Sequence, residues 1–117
     1  MDKLCKIRDL RQAVTHFEAD FERRYGISLN EGMLLCSLKE GGSLSSGELC
    51  GLLGLPPSHA SQVIAAAERK ELIARVLGER DKRRMFFSIT ERGRSVIGGI
   101  SCAEIPMPEA LCDALGL

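Results

Sequence analysis

The chain has 117 residues, of which 44% are hydrophobic and 27% are charged, and its formal net charge is zero. This length suits one domain with a real core, and no apolar run approaches the length of a membrane span. The five cysteines form no Cys-x-x-Cys pair and neither histidine completes a zinc site, so no metal centre or disulfide framework is predicted. The first residues do not resemble a signal-peptide core, and we expect a cytoplasmic protein without a membrane partner.

The first predicted element is a long helix over residues 3–24, which Gly26 ends. Apolar residues recur along this helix at the spacing of a coiled-coil seam. The seam predicts a dimer contact, with packing inside the same subunit as the alternative. The seam residues are Ile7, Leu10, Val14, Phe17 and Phe21.

Three further helices are predicted before residue 71. The stretches SLNE (residues 28–31) and SSGE (residues 45–48) have capping-box spacing, so each one opens a helix. Residues 54–58, GLPPS, break the chain before a fourth helix over about residues 57–70, whose apolar positions predict a buried stripe. Cys36 and Cys50 fall on apolar helices and are expected to be buried. The stripe consists of Ala60, Val63, Ile64 and Ala67.

Two strands and two helices complete the chain. Residues 72–77 read as one strand, and Met85, Phe87 and Ile89 alternate along a second one after Arg84, which gives a hairpin over about residues 72–89. Thr90 opens a fifth helix that extends to about residue 98. A short last helix begins near residue 108.

Positive charge is concentrated in one part of the chain. From Arg69 to Arg94 there are nine Lys/Arg and four Asp/Glu, whereas the rest of the chain carries seven and twelve. A basic segment in an otherwise acidic chain indicates a polyanionic partner.

Two short helices joined by a tight turn and followed by a hairpin predict a winged helix-turn-helix in a mainly α fold. Its second helix, the recognition helix, must bring short polar side chains to base edges in the major groove, and a glutamine there can pair with adenine through two hydrogen bonds. The basic hairpin tip is placed to meet phosphates or an adjacent minor groove. The predicted DNA contacts are Ser45, Ser58, His59, Ser61, Gln62, Arg69, Lys82, Arg83 and Arg84.

The stretch ERDKRRMFFSITERG, residues 79–93, resembles the wing signature of MarR-type (multiple antibiotic resistance) regulators. That signature is Asp-x-Arg, a strand, and Leu-Thr-x-x-Gly. Asp81 and Arg83 match its start, and Ile89, Thr90 and Gly93 match its end with Ile in place of Leu. The resemblance extends over nearly the whole chain in element order. It implies a homodimeric winged-helix repressor or activator that binds a pseudopalindromic operator in double-stranded DNA.

The resemblance also implies a division of labour within one domain of residues 1–117. Residues 1–25 and 95–117 would form dimerisation helices, with Leu111 and Leu115 in the contact, and residues 28–94 would form the winged helix. Asp81 would orient a neighbouring arginine of the wing. A small aromatic effector or an oxidant often releases DNA in such proteins. Some of them sense hydroperoxides through an N-terminal cysteine, a role that Cys5 would fill here.

Two features depart from the family pattern. Recognition helices of this family usually carry arginine near the middle, where this chain has Gln62 and Ala66. The segment after residue 103 is shorter than the usual terminal helix, so we expect the dimer to depend mainly on the first helix.

Three functions remain open on the sequence. The leading one is a dimeric, sequence-selective, ligand-responsive DNA-binding regulator. The alternatives are a winged-helix module that binds proteins or dimerises without specific DNA binding, and a thiol-based redox sensor at Cys5. An enzyme is not predicted, because the sequence has no nucleophile–base constellation, metal spacing or phosphate-binding glycine loop.

Overall fold

A computed structural model describes residues 2–78, 84–100 and 105–117. The protein is mostly helical with a small antiparallel sheet of three strands, which confirms the predicted fold class. The chain divides into two compact units. Residues 1–29 and 101–117 form the helical unit, and residues 30–100 form the winged-helix unit.

The helical unit is built on helix α1 (Asp2–Tyr25), against which helix α6 (Glu109–Leu115) packs. Three aromatic rings four residues apart lie on one side of α1, since the ring centroids of Phe17 and Phe21 are 6.1 Å apart and those of Phe21 and Tyr25 are 5.0 Å apart. Gly26 ends α1 in the left-handed conformation with φ at 73°, as predicted.

The winged-helix unit opens with helices α2 (Leu29–Gly41), α3 (Ser46–Leu53) and α4 (Pro57–Arg69). The capping box predicted at the start of α3 is present. The Ser45 hydroxyl accepts a hydrogen bond from the Glu48 backbone N–H, and the Glu48 carboxylate accepts one from the Ser45 N–H, both at 3.2 Å. Gly54 then ends α3 with φ at 65°, which allows the tight turn into α4. The fully buried side chains of α2 and α3 are Leu34, Leu35, Leu38 and Leu49.

Strands β1 (Leu44–Ser45), β2 (Ile73–Leu77) and β3 (Met85–Ile89) form the sheet in the order β1-β3-β2. The two predicted strands, β2 and β3, are confirmed. Strand β1, which pairs Leu44 with Phe87, was not predicted because a strand of two residues shows no alternation. The Gly78 N–H donates to the Arg84 carbonyl at 3.0 Å and closes the hairpin before its tip.

The burial of two predicted apolar positions differs from expectation. Cys36 is exposed, because it lies off the side of α2 that faces the core. Along β3 only Phe87 is buried, while Met85 is 39% exposed and its cross-strand neighbour Leu77 is 60% exposed. The hairpin therefore extends beyond the core that covers its base.

A Schellman motif ends α4 just before β2. The Leu72 N–H donates to the Ala67 carbonyl at 3.0 Å, and the Glu71 N–H donates to the Glu68 carbonyl at 2.9 Å. Glu71 occupies the left-handed position with φ at 61°, where glycine is the usual residue.

The Thr-x-x-Gly part of the wing signature joins β3 to helix α5 (Glu91–Gly98). The Thr90 N–H donates to the Leu72 carbonyl at 3.1 Å, and the Thr90 hydroxyl donates to the Glu71 carbonyl at 2.8 Å. The same hydroxyl caps α5 by accepting from the Gly93 N–H at 3.0 Å. A Cβ atom at Gly93 would lie 2.2 Å from the Leu72 carbonyl oxygen, so only glycine fits there without a backbone shift.

Gly93→Ala is expected to lower the free energy of unfolding by roughly 2–4 kcal/mol, because the added methyl group overlaps a backbone oxygen. The matched control is Gly51→Ala in α3, where no atom lies within 4 Å of the new Cβ. That change should raise stability by about 0.5–1 kcal/mol through helix propensity. Urea unfolding of both variants checks the prediction, and equal effects of the two changes would contradict it.

Candidate nucleic-acid interface

Helix α4 has one polar, exposed side and one apolar, buried side. Each residue turns the helix by about 100°, so the buried stripe and the polar residues at the N-terminal end lie on opposite sides. The stripe predicted from the sequence is confirmed, since all four of its side chains are buried. The polar side chains predicted to contact DNA are all exposed: Ser58, His59, Ser61 and Gln62.

The N-terminal end of α4 is open. Pro56 occupies the N-cap position without a side-chain hydrogen bond, and Pro57 fills the first helical position. The N–H groups of a first helical turn have no acceptor inside the helix, and the helix dipole makes this end positive. This end of α4 therefore suits an anionic group such as a phosphate.

The C-terminal end of α4 is tied to its own unit. The Lys70 ammonium lies 2.9 Å from a carboxylate oxygen of Glu31, which is 4% exposed on α2. Arg69 next to it is exposed. Both cations are exposed, and Lys70 is ion-paired to a buried carboxylate of α2.

Arg75 connects α4 to the sheet. Its guanidinium donates two hydrogen bonds to the Glu68 carboxylate, at 2.9 and 3.2 Å, and its Cζ lies 5.7 Å from the centroid of the Phe87 ring. Hydrogen bonding to Glu68, followed by charge attraction, raises the pKa of Arg75 above its ordinary value. Arginine stays protonated in proteins, so Arg75 is a permanent cation.

Only part of the predicted wing lies within the described residues. Arg84 is exposed, and its Cζ lies 5.2 Å from the centroid of the Phe86 ring. Asp81, Lys82 and Arg83 lie outside the described residues, so their contacts stay predictions. Ser45, the remaining predicted DNA contact, has its hydroxyl engaged as the cap of α3.

The predicted dimerisation residues differ in exposure. Phe17 and Phe21 are buried in the protomer itself, so the alternative of packing within the subunit describes that part of the seam. Ile7 is 59% exposed, and Leu10 and Val14 are half-buried. On α6, Leu111 is half-buried and Leu115 is exposed.

The remaining predictions concern a cysteine with a redox role, groups of metal-binding residues, and helices that could span a membrane. Cys5 is an exposed free thiol. No cluster of three or more His, Cys, Asp or Glu able to hold a metal ion occurs in residues 2–78, 84–100 and 105–117. Among the helices described above, none combines the length and the hydropathy that a membrane crossing requires.

Comparison with known proteins identifies the family. The sequence model of the MarR family matches residues 25–84. The chain belongs to the MarR family. It is 28% identical over 90 residues to an uncharacterised helix-turn-helix transcriptional regulator, YwaE of Bacillus subtilis, and the aligned region covers 77% of this chain and 53% of that protein. The chain thus spans about half the length of this relative.

Solved structures support the assignment to MarR regulators. A probable transcriptional regulator of Pseudomonas aeruginosa is 26% identical, with a TM-score of 0.73 over 92% of this chain and 80% of that one. The DNA complex of MepR from S. aureus is 20% identical, with a TM-score of 0.60 over 78% of this chain and 72% of that one, a likeness in fold. These likenesses show that this chain has the same fold as those two proteins.

Lys70→Met is expected to lower the free energy of unfolding by roughly 1–3 kcal/mol, because it leaves the buried Glu31 carboxylate without the ammonium beside it. Lys39→Met is the matched control, since Lys39 is exposed at the end of α2, and it should change stability by less than about 0.5 kcal/mol. Chemical denaturation of both variants measures the difference. Similar values for the two would mean that the Glu31–Lys70 pair does not stabilise α4.

Proposed function

We propose that this chain is a homodimeric, sequence-selective DNA-binding transcription regulator. The observation that carries the proposal is the exposed polar side of α4, opposite its buried stripe. A helix of this kind fits the major groove, where its N-terminal residues come closest to base edges. Membership of the MarR family and the likeness in fold to a regulator solved with DNA support the same function.

Base recognition is assigned to the first two turns of α4. Gln62 is exposed and can form two hydrogen bonds with adenine, and Ser58 and Ser61 are short enough to reach neighbouring base edges. Ala65 and Ala66 are half-buried on the following turn and leave room for a thymine methyl group. These contacts would favour an operator with A·T pairs under α4.

Phosphate contacts are assigned to the open end of α4 and to the basic wing. Arg69 and Arg84 are exposed, and Lys82 and Arg83 stand in the sequence at the hairpin tip. Because few cations lie on α4 itself, most of the salt-dependent affinity would come from the wing.

The dimer is assigned to the helical unit. Exposed apolar side chains lie on both of its helices, among them Leu4 and Ile7 on α1 and Leu115 on α6. A second copy would cover them, as dimer contacts do. Two-fold symmetry would then put two recognition helices on successive turns of a pseudopalindromic operator.

Control by an effector remains a prediction. A groove on the helical unit, about 470 Å³, is lined by Lys6 and by the carboxylates of Asp9, Glu109 and Asp113, among other residues. Three carboxylates disfavour an aromatic acid there, so the predicted effector would bind elsewhere. A thermal-shift screen with phenolic acids tests control by such a compound, and a rise in the melting temperature would reveal binding.

The redox alternative is tested by comparing DNA release by a hydroperoxide in wild type and Cys5→Ser.

Selection of random duplexes on the purified protein is expected to recover an inverted repeat. Gln62→Ala should then lose about 1–3 kcal/mol of discrimination at one base pair of each half-site, with the salt dependence of binding unchanged. Gln12→Ala on α1 is the matched control, because Gln12 is exposed in the helical unit, and it should bind like wild type. Enrichment of no sequence would contradict the proposal.

Arg83→Ala is expected to weaken binding to all duplexes and to reduce the slope of log affinity against log salt by about 1, because one phosphate contact is lost. Binding measured at several salt concentrations checks this. If wild type binds DNA weakly, without preference, and only at low salt, the protein-interaction alternative is favoured over a regulator.

A further inference from the structure

Arg75 contacts three elements that a winged helix must hold in one arrangement. It belongs to β2, its guanidinium grips Glu68 in the last turn of α4, and its planar group lies over the ring of Phe87 on β3. Strand β3 is the centre of the sheet, with β1 on one side and β2 on the other. The Arg75 side chain therefore joins the recognition helix to β3, the central strand of the sheet, which follows the tip of the wing.

We expect the orientation of the α4 axis to depend on the contact between Arg75 and Glu68, because the other contacts of α4 constrain this orientation less. The N-terminal end has no side-chain cap, and two of the four residues in the buried stripe are alanines, which offer little shape for interlocking. Apart from the packing of this stripe and the contacts of α4 with α3 and β2, the fixed points described for α4 are at its C-terminal end, namely the Schellman motif and the Lys70–Glu31 pair. The bidentate contact with Glu68 adds a directional constraint, since a guanidinium fork matches a carboxylate in one plane.

The geometry of a helix amplifies any looseness at this end. Ser58 lies ten residues before Glu68, which corresponds to about 15 Å along the axis. A tilt of roughly 10° at Glu68 would thus displace the side chains at the other end by about 2.5 Å. Hydrogen bonds to base edges tolerate only a few tenths of an ångström.

We propose that Arg75 is a positioning residue that sets the angle between the recognition helix and the wing, and thereby the preference for specific over non-specific DNA. The proposal rests on the DNA-binding function proposed above. Arg75 acts through Glu68 and Phe87 and does not itself contact a phosphate. Non-specific binding needs only the basic surface, whereas specific binding needs both elements in register at once.

The test compares Arg75→Met, Arg75→Lys and the charge swap Glu68→Arg/Arg75→Glu on the selected duplex and on a random duplex. Arg75→Met retains the aliphatic stem over Phe87 but loses the charge, and Arg75→Lys retains the charge but loses the fork. Arg92→Met is the matched control, because the side-chain contact described for Arg92 is a long one, 3.5 Å, with the exposed Glu71. Thermal unfolding, followed by circular dichroism, shows that each variant is folded.

Both single variants are expected to bind the selected duplex roughly tenfold more weakly and the random duplex less than about twofold more weakly, so specificity falls roughly five- to tenfold, or by about 1–1.4 kcal/mol. The salt dependence should not change, and the charge swap should restore most of the lost preference. The control should retain the wild-type ratio of the two affinities.

Three results would overturn the inference. A parallel loss on both duplexes with the salt slope reduced by about 0.9 would mean that Arg75 contacts a phosphate directly. An unchanged ratio in folded Arg75→Lys and Arg75→Met would mean that the joint does not set specificity. If wild type itself selects no duplex, the proposed function fails first and the inference with it, whereas the first two results leave that function standing.

Discussion

The backbone of Glu71 and Leu72 is the point on which the winged-helix unit depends. Both N–H groups end α4 by donating to carbonyls of its last turns, and both carbonyls accept from Thr90 at the end of β3. Two peptide units thus supply hydrogen-bond partners both to the last turns of α4 and to Thr90, the N-cap residue of α5. The absent side chain of Gly93 leaves room for the Leu72 carbonyl, so α5 can begin directly beneath it.

This shared anchor couples elements that would otherwise be independent. The backbone of Glu71 and Leu72 is hydrogen-bonded both to the last turns of the recognition helix and to Thr90, which follows β3. The ion pairs of Lys70 and Arg75 lie at the same end of α4. The free end of α4, by contrast, carries exposed polar groups and no cap. The contacts that fix α4 therefore lie at its C-terminal end, away from the surface proposed to bind DNA. They support the polar side chains at the N-terminal end of the helix without covering them.

The sequence predicted the elements well because local rules determined them. The capping box of α3, the Thr90 cap and the period of the α4 stripe depend on residues a few positions apart, and each has its predicted place in the structure. Strand β1, the exposure of Cys36 and the partners of Arg75 and Lys70 depend on residues far apart in sequence, and composition carries no signal for them. The polar face of α4 was predictable as a surface, whereas its two ion pairs were not.

The helical unit is formed by the segments that precede and follow the winged helix in the sequence. During synthesis α1 leaves the ribosome before the winged helix does, and α6, which packs against α1, leaves after it. At ordinary translation speed the interval is on the order of ten seconds. A small unit of helices and a hairpin folds within milliseconds to about a second. The winged helix can therefore fold before α6 has been synthesised and can pack against α1. The nascent chain therefore completes the unit proposed to bind DNA before it completes the unit proposed to form the dimer.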